Sequence, residues 1–236
     1  MAMIDVSDKL ANLAKKLSSS QATGKIIWRT VDIGNYLAVD KAVASVVQEL
    51  VDIDILINNA SVALGAPARF HELHIPDIMT MVNTNINGFM YVTYSVLNRS
   101  MLVRRPSNGT ILNVTSITSL EVPRFQAKAV YHANKAFQEA LTNALRNELS
   151  GTNIRILALR PGCVATNFHS LRVGHDREKY DQFFEGFEPL VSDDIAQATV
   201  YMLNQPLNVS VKAMDVVPSA QRSITVFDRK WNERNS

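Results

Sequence analysis

The chain has 236 residues, 47% of them apolar and 19% charged, a balance that suits one domain with a sizeable core. Its formal charge of +2 comes from scattered basic residues, which argues against nucleic acid or an anionic membrane surface as the main partner. A single cysteine excludes an intrachain disulfide, no apolar run reaches the roughly 18 residues of a membrane helix, and the first ten residues carry Asp5 and Asp8 instead of a signal-peptide core, so a soluble cytoplasmic protein is expected.

Strand-length apolar runs alternate with longer helical patterns. Residues 7–17 read as a helix with Leu10, Leu13, Ala14 and Leu17 on one face, followed by a polar turn over 18–24. Residues 25–31 read as a strand ending at Asp32, and 37–50 as a second helix. Residues 53–57 form a short apolar run, expected as a buried strand, that stops at Asn58-Asn59. A long helical stretch over 76–98 precedes a strand at 109–114 and a loop from Ser116. A helix at 130–149 is closed by Ser150-Gly151, and a strand at 153–159 is stopped by Pro161-Gly162. The aromatic-rich segment 168–189 is expected to carry specificity; a helix opens at Ser192 and the last strand candidate spans 209–217. The alternation implies a doubly wound α/β fold with a parallel sheet.

Tyr131 and Lys135 stand four residues apart on a predicted helix, so they share a face. A nearby ammonium favours the phenolate, which suits a tyrosine that exchanges a proton with an alcohol or carbonyl. Ser116 sits just past a strand end, where its hydroxyl can donate to the same oxygen; Thr115, Thr118 and Ser119 are alternatives. Asn85 lies mid-helix, a mildly unfavourable place for asparagine, and is either held for a purpose or simply exposed. Asn58-Asn59-Ala60-Ser61 and Arg160-Pro161-Gly162-Cys163-Val164-Ala165-Thr166 both follow strand ends, the rim where open parallel sheets bind ligands.

From about residue 7 onward, these residues together resemble the short-chain dehydrogenase/reductase family. The family's Asn-Asn-Ala-Gly stretch appears as Asn58 to Ser61, its Asn-Ser-Tyr-Lys tetrad as Asn85, Ser116, Tyr131 and Lys135, and its Pro-Gly motif as Pro161-Gly162 with Thr166 beyond. Residues 53–65 and 214–221 are most similar to the branch of NADP-dependent 3-hydroxy acid and serine dehydrogenases. The resemblance implies a Rossmann-like sheet, NADP or NAD as cofactor, no metal, and a small-molecule alcohol or ketone as substrate. It implies that Tyr131 is the general acid/base, that Lys135 lowers its pKa and binds the nicotinamide ribose, that Ser116 polarises the substrate oxygen, and that Asn85 holds a water linking Lys135 to solvent. Asp32 would approach the adenine, Asn59 and Ala60 would line the adenosine ribose, and Gly162, Val164 and Thr166 would face the nicotinamide. Family members associate through helices corresponding to 76–98 and 130–149, so a homo-oligomer is expected.

The family's opening strand, glycine-rich turn and helix have no counterpart here. The expectation is a single incomplete domain over 1–236, truncated at its N-terminus, with the first two strands and first helix absent. Strand 25–31 would then slide against 53–57, or apolar surface would be exposed. Ser61 replaces a glycine and would crowd the cofactor if its backbone needed a positive φ. The position of the 2′-phosphate-reading basic pair falls at Asp5-Val6, which leaves NADP against NAD open. Three readings stand: an active oxidoreductase, an impaired truncated relative unable to hold the dinucleotide, and a non-enzymatic interaction protein on the same fold.

Overall fold

The computed structural model describes residues 1–19, 24–122 and 128–235; most of the expected polar turn after the first helix lies outside them. Helix α1 (Leu10–Ser19) buries Leu10 and Ala14, four residues apart on one face. Helix α2 (Tyr36–Leu50) starts at Asn35, whose side chain accepts from the Ala38 N–H, and buries Val39, Ala42, Val43 and Val46 at helical spacing. Residues 75–101 are continuously helical, with α3 (Ile75–Val82) and α4 (Phe89–Val96) each running into a π-helical stretch, at 83–88 and 97–101. Helices α5 (Ala129–Glu148), α6 (Asn167–Arg172), α7 (Arg177–Phe184), α8 (Ser192–Leu203) and α9 (Trp231–Asn235) follow. No helix among the described residues is long and apolar enough to cross a membrane.

Strands β3 (Ile55–Asn58), β4 (Asn108–Val114), β5 (Asn153–Pro161) and β6 (Ala213–Val216) form one parallel sheet in that order, with Leu56, Ile111 and Ile156 in register. Alternate residues of the central strands enter opposite cores. Ile111, Ile154 and Ile156 pack with Val92, Val96 and Met101, whereas Leu112, Leu157 and Leu159 pack with Met202. Both faces are covered, as a doubly wound sheet requires.

The N-terminus corrects the sequence-based expectation. Residues Ala2–Asp5 form strand β1, paired in parallel with β2 (Ile27–Thr30). Strand β2 therefore has a neighbour, and the chain opens with a strand where none was expected. Four residues with only two large apolar side chains give little periodic signal; the backbone ladder to β2, continued by Ile27 N–H to Met1 O and Val31 N–H to Asp5 O, defines the strand.

The two sheets do not join. A cavity of about 770 Å³ runs between them, lined by Asp54 to Asn59 on one side and by Met1, Ala2, Ile4 and Asp5 on the other. Successive strand residues point to opposite faces, so a cavity that touches each of them in turn lies along the strand edge. Strand β2 has not slid against β3; instead Ile55 and Ile57 are 50% and 45% exposed.

A buried polar ladder ties β3 and β4 to the helices. The Asn58 amide donates to Thr93 Oγ1 and Asn113 Oδ1, and the Asn113 amide donates to Thr142 Oγ1, each at 2.8–2.9 Å. Replacing Asn113 with leucine removes two of these bonds at roughly 1 kcal/mol each. Urea unfolding of Asn113→Leu is expected to show a loss of about 2 kcal/mol; an unchanged midpoint would mean that the ladder contributes nothing net.

Candidate active site

The C-terminal ends of β4 and β5 and the first turns of α5 surround a cavity of about 730 Å³. Strand β4 ends at Val114, and the extended backbone of Ser116 begins a short 3-10 turn over Ile117–Ser119. The Ser116 hydroxyl oxygen accepts from the Thr118 N–H at 3.2 Å and the Thr118 hydroxyl at 3.1 Å. With two donors already on its oxygen, its own O–H is left to donate. Tyr131 lines the same cavity wall, and the nearby Ser116 hydroxyl draws its phenol down against the larger effect of burial. His132, one residue on, ties α5 back to this turn through Nδ1 and the Thr118 carbonyl.

Lys135 lies one turn below Tyr131, only 2% exposed, with its Nζ 5.7 Å from the Tyr131 ring centroid. Nζ donates to Val114 O and Gln138 Oε1, both at 3.0 Å. Further along α5, Glu139 accepts from Thr115 Oγ1 and pairs with Arg160, whose guanidinium also reaches Asp215 on β6. Burial pushes the Glu139 carboxyl up, but Arg160 more than offsets it and holds the group below the usual carboxylate range.

Burial is the largest influence on both the Tyr131 phenol and the Lys135 amine. Burial raises the phenol well above its ordinary value, against smaller downward pulls from Ser116 and Arg172. Burial also pushes Lys135 down to about 7.

Ser116, Tyr131, Lys135, Asn59, Gly162, Val164 and Thr166 all line the cavity. Gly162 has no room for a side chain: a Cβ would meet Gln221 Oε1 at 2.5 Å. Asp32 and Ala60 are not brought to this cavity. Asp32 Oδ1 accepts from the Gly34 N–H, and Ala60 lines the gap between the two sheets. Asn85 is fully buried and its amide is committed elsewhere: Oδ1 accepts from Ser61 Oγ and the Val62 N–H, and Nδ2 donates to Val62 O. Its main-chain carbonyl accepts from the Gln138 side chain. Ser61 has no left-handed φ; among described non-glycine residues only Val51 and His175 do, so the feared backbone crowding does not arise.

Sequence reasoning did not single out four further residues. Gln138 is one. The others, Lys128, His169 and Arg172, line the cavity opposite Ser116. Lys128 is pushed down to about 8 by burial and by Arg172, and His169 to about 3 by burial and both cations, so His169 is neutral. The Arg172 guanidinium lies over the Phe183 ring at 4.9 Å, and its buried Nε has no hydrogen-bond partner among the described residues. The available signal was helical spacing: Arg172 lies four residues after Phe168, whose ring packs 5.4 Å from that of Tyr131.

The family model for short chain dehydrogenases matches residues 1–175. The chain is 34% identical over 218 residues to the NADP-dependent 3-hydroxy acid dehydrogenase of Schizosaccharomyces pombe, covering 92% of this chain and 82% of that protein. It is 33% identical to the serine 3-dehydrogenase of Agrobacterium fabrum, over 80% of this chain and 74% of that one. The closed form of a serine dehydrogenase complexed with NADP+ superposes with a TM-score of 0.84 at 27% identity, covering 94% of this chain and 86% of that one.

Lys135 sets a pH dependence of stability. Its folded pKa of about 7 lies below its ordinary value of 10.5, so above pH 7 the unfolded chain binds more protons and stability rises with pH. Urea unfolding from pH 7 to 9 is expected to show a rise approaching 1.4 kcal/mol per pH unit, roughly one proton's worth. Lys128 adds to the rise above about pH 8, and Cys163, raised by burial from 9 to about 11, opposes it above pH 9. Lys135→Met should stabilise the fold at pH 7 and flatten the profile between pH 7 and 8. A flat profile in the unsubstituted protein would contradict the burial of a titrating lysine.

Proposed function

Because this chain belongs to the short-chain dehydrogenase family, we propose that it is an NAD(P)-dependent oxidoreductase that interconverts a hydroxyl and a carbonyl on a small acidic molecule. The observation that carries the reading is the convergence of Ser116, Tyr131 and Lys135 on the wall of one cavity, which also holds an Arg172 nitrogen with no partner among the described residues. In the reducing direction Tyr131 gives its proton to the substrate oxygen as negative charge develops there, while the Ser116 O–H donates to the same oxygen. Lys135, in its charged form, stabilises the phenolate that remains. A nicotinamide cofactor, when bound, would supply the hydride. Lys135, Asn59, Gly162, Val164 and Thr166 are the residues that would hold its nicotinamide half, and all share the cavity. Asp32 and Ala60, expected on the adenosine side, lie outside this cavity.

Arg172 and Lys128 point to the substrate class. A buried guanidinium with an unused N–H is stabilised by an anion, and a carboxylate meets it with charge-assisted hydrogen bonds. A 3-hydroxy acid and serine, for which the similar enzymes are named, both carry that group. With NADPH and a 3-oxo acid, Tyr131→Phe should lower kcat by about a thousandfold, and Arg172→Gln should raise KM for the acid about ten- to hundredfold while sparing a neutral ketone of the same length. Near-normal turnover by the phenylalanine variant would overturn the catalytic reading; equal effects on acid and neutral ketone would overturn the substrate class.

The same reading extends to a cytoplasmic homo-oligomer. Ile75, Met79 and Tyr94 are 64%, 65% and 58% exposed on helix 75–101, an apolar set suited to a second copy. Light scattering at micromolar concentration should report a multimer that Met79→Glu weakens, and a monomeric unsubstituted protein would refute it.

A further inference from the structure

We propose that Gln138 is a positioning residue, whose side-chain amide spans Lys135 and the Asn85 main chain and holds the lysine beneath Tyr131. Gln138 is 1% exposed, three residues after Lys135 and seven after Tyr131 on the buried face of α5. Its Oε1 accepts from Lys135 Nζ at 3.0 Å, and its Nε2 donates to Asn85 O at 2.8 Å. The amide has one possible orientation here. An ammonium only donates and a carbonyl only accepts, so the oxygen must face Lys135 and the NH2 must face Asn85. With Val114 O, Gln138 uses two of the three N–H bonds of Lys135 and leaves the third for the Tyr131 side.

This bridge changes the path expected from Asn85. A water between Asn85 and Lys135 can pass a proton to solvent, because each of its hydrogens is exchangeable along a chain of waters. A carboxamide makes the same two hydrogen bonds but does not hand a proton through from one end to the other. Lys135 is thus fixed in place and closed off on the Asn85 side, and the proton that restores Tyr131 enters from the substrate cavity. The structural role of the amide and the functional role of the lysine are therefore linked: Oε1 stabilises the charged form of Lys135 against the burial that drives it toward neutrality.

The inference rests on the oxidoreductase reading for its kinetic consequence, but its first test does not need turnover. Two variants serve, Gln138→Met, which keeps the volume, and Gln138→Ala, which leaves space for a water. Titration of Lys135 by NMR in lysine-labelled full-length protein, assigned with Lys135→Met, should show its pKa lowered by about one unit in each variant, the effect of losing one charge-assisted acceptor. The other ionisable groups around the cavity, Tyr131, Lys128, Cys163, His169 and Arg172, are left in place, and Glu139 stays paired with Arg160. In the NADPH assay kcat should fall about tenfold with KM little changed, and the pH profile should shift with the lysine. Gln138→Ala should recover part of that loss if a water bridges the gap. An unshifted Lys135 titration in a folded variant would overturn the proposal, and so would failure of both variants to fold, which would make Gln138 structural only. Should the unsubstituted protein show no turnover with any carbonyl while the titration shifts, the positioning role would stand and the oxidoreductase reading would fall.

Discussion

Helix α5 turns polar side chains toward the core, and much of the molecule is arranged to satisfy them. Lys135, Gln138, Glu139 and Thr142 are all buried on its inner face. A buried polar group without a partner costs about 1–3 kcal/mol, so the helix can sit in only one register. Lys135 requires the end of β4, Gln138 requires the carbonyl of Asn85, Glu139 requires Arg160 on β5, and Thr142 requires Asn113. Together these demands tie α5 to β4 at two points, to β5, and to the helical stretch around Asn85. Tyr131 is carried on the first turn of that helix and is set against Ser116 as a consequence.

That arrangement has an energetic cost that falls on the site itself. Lys128, Lys135 and Arg172 are cations gathered around one cavity, and burial pushes each of them toward its neutral form. An apolar wall would be more stable. Strain of this kind concentrates where chemistry is done, because the same desolvation strengthens the field that a bound anion or a developing oxyanion meets. The aromatic wall supports it: His169 stacks on Phe183 with centroids 4.9 Å apart, and Phe183 lies under both Arg172 and Lys128.

The gap between β1 and β3 divides the ligand-binding rim into two unequal parts. On the α5 side Ser116, Tyr131 and Lys135 share one cavity. On the other side Asn59 borders both cavities and Ala60 only the gap, so positions expected to meet the adenosine face an open sheet edge.

By itself the sequence determined the order of strands and helices, the i,i+4 placement of Tyr131 and Lys135, and the position of Ser116 and Pro161-Gly162 at strand ends. These follow from side-chain periodicity and from residues that punctuate the backbone, both of which are local. Only the tertiary structure decided that Ala2–Asp5 is a strand, since a four-residue segment gains its stability from a ladder with β2 more than twenty residues away. It alone decided that Lys128 and Arg172, distant in sequence, meet in one cavity, and that Gln138 reaches Asn85. It also set how strongly burial raises the Tyr131 phenol and lowers Lys135. Spacing along a helix tells which groups are neighbours, whereas the charge a neighbour carries depends on how far it has been removed from water, and burial is set by the whole fold.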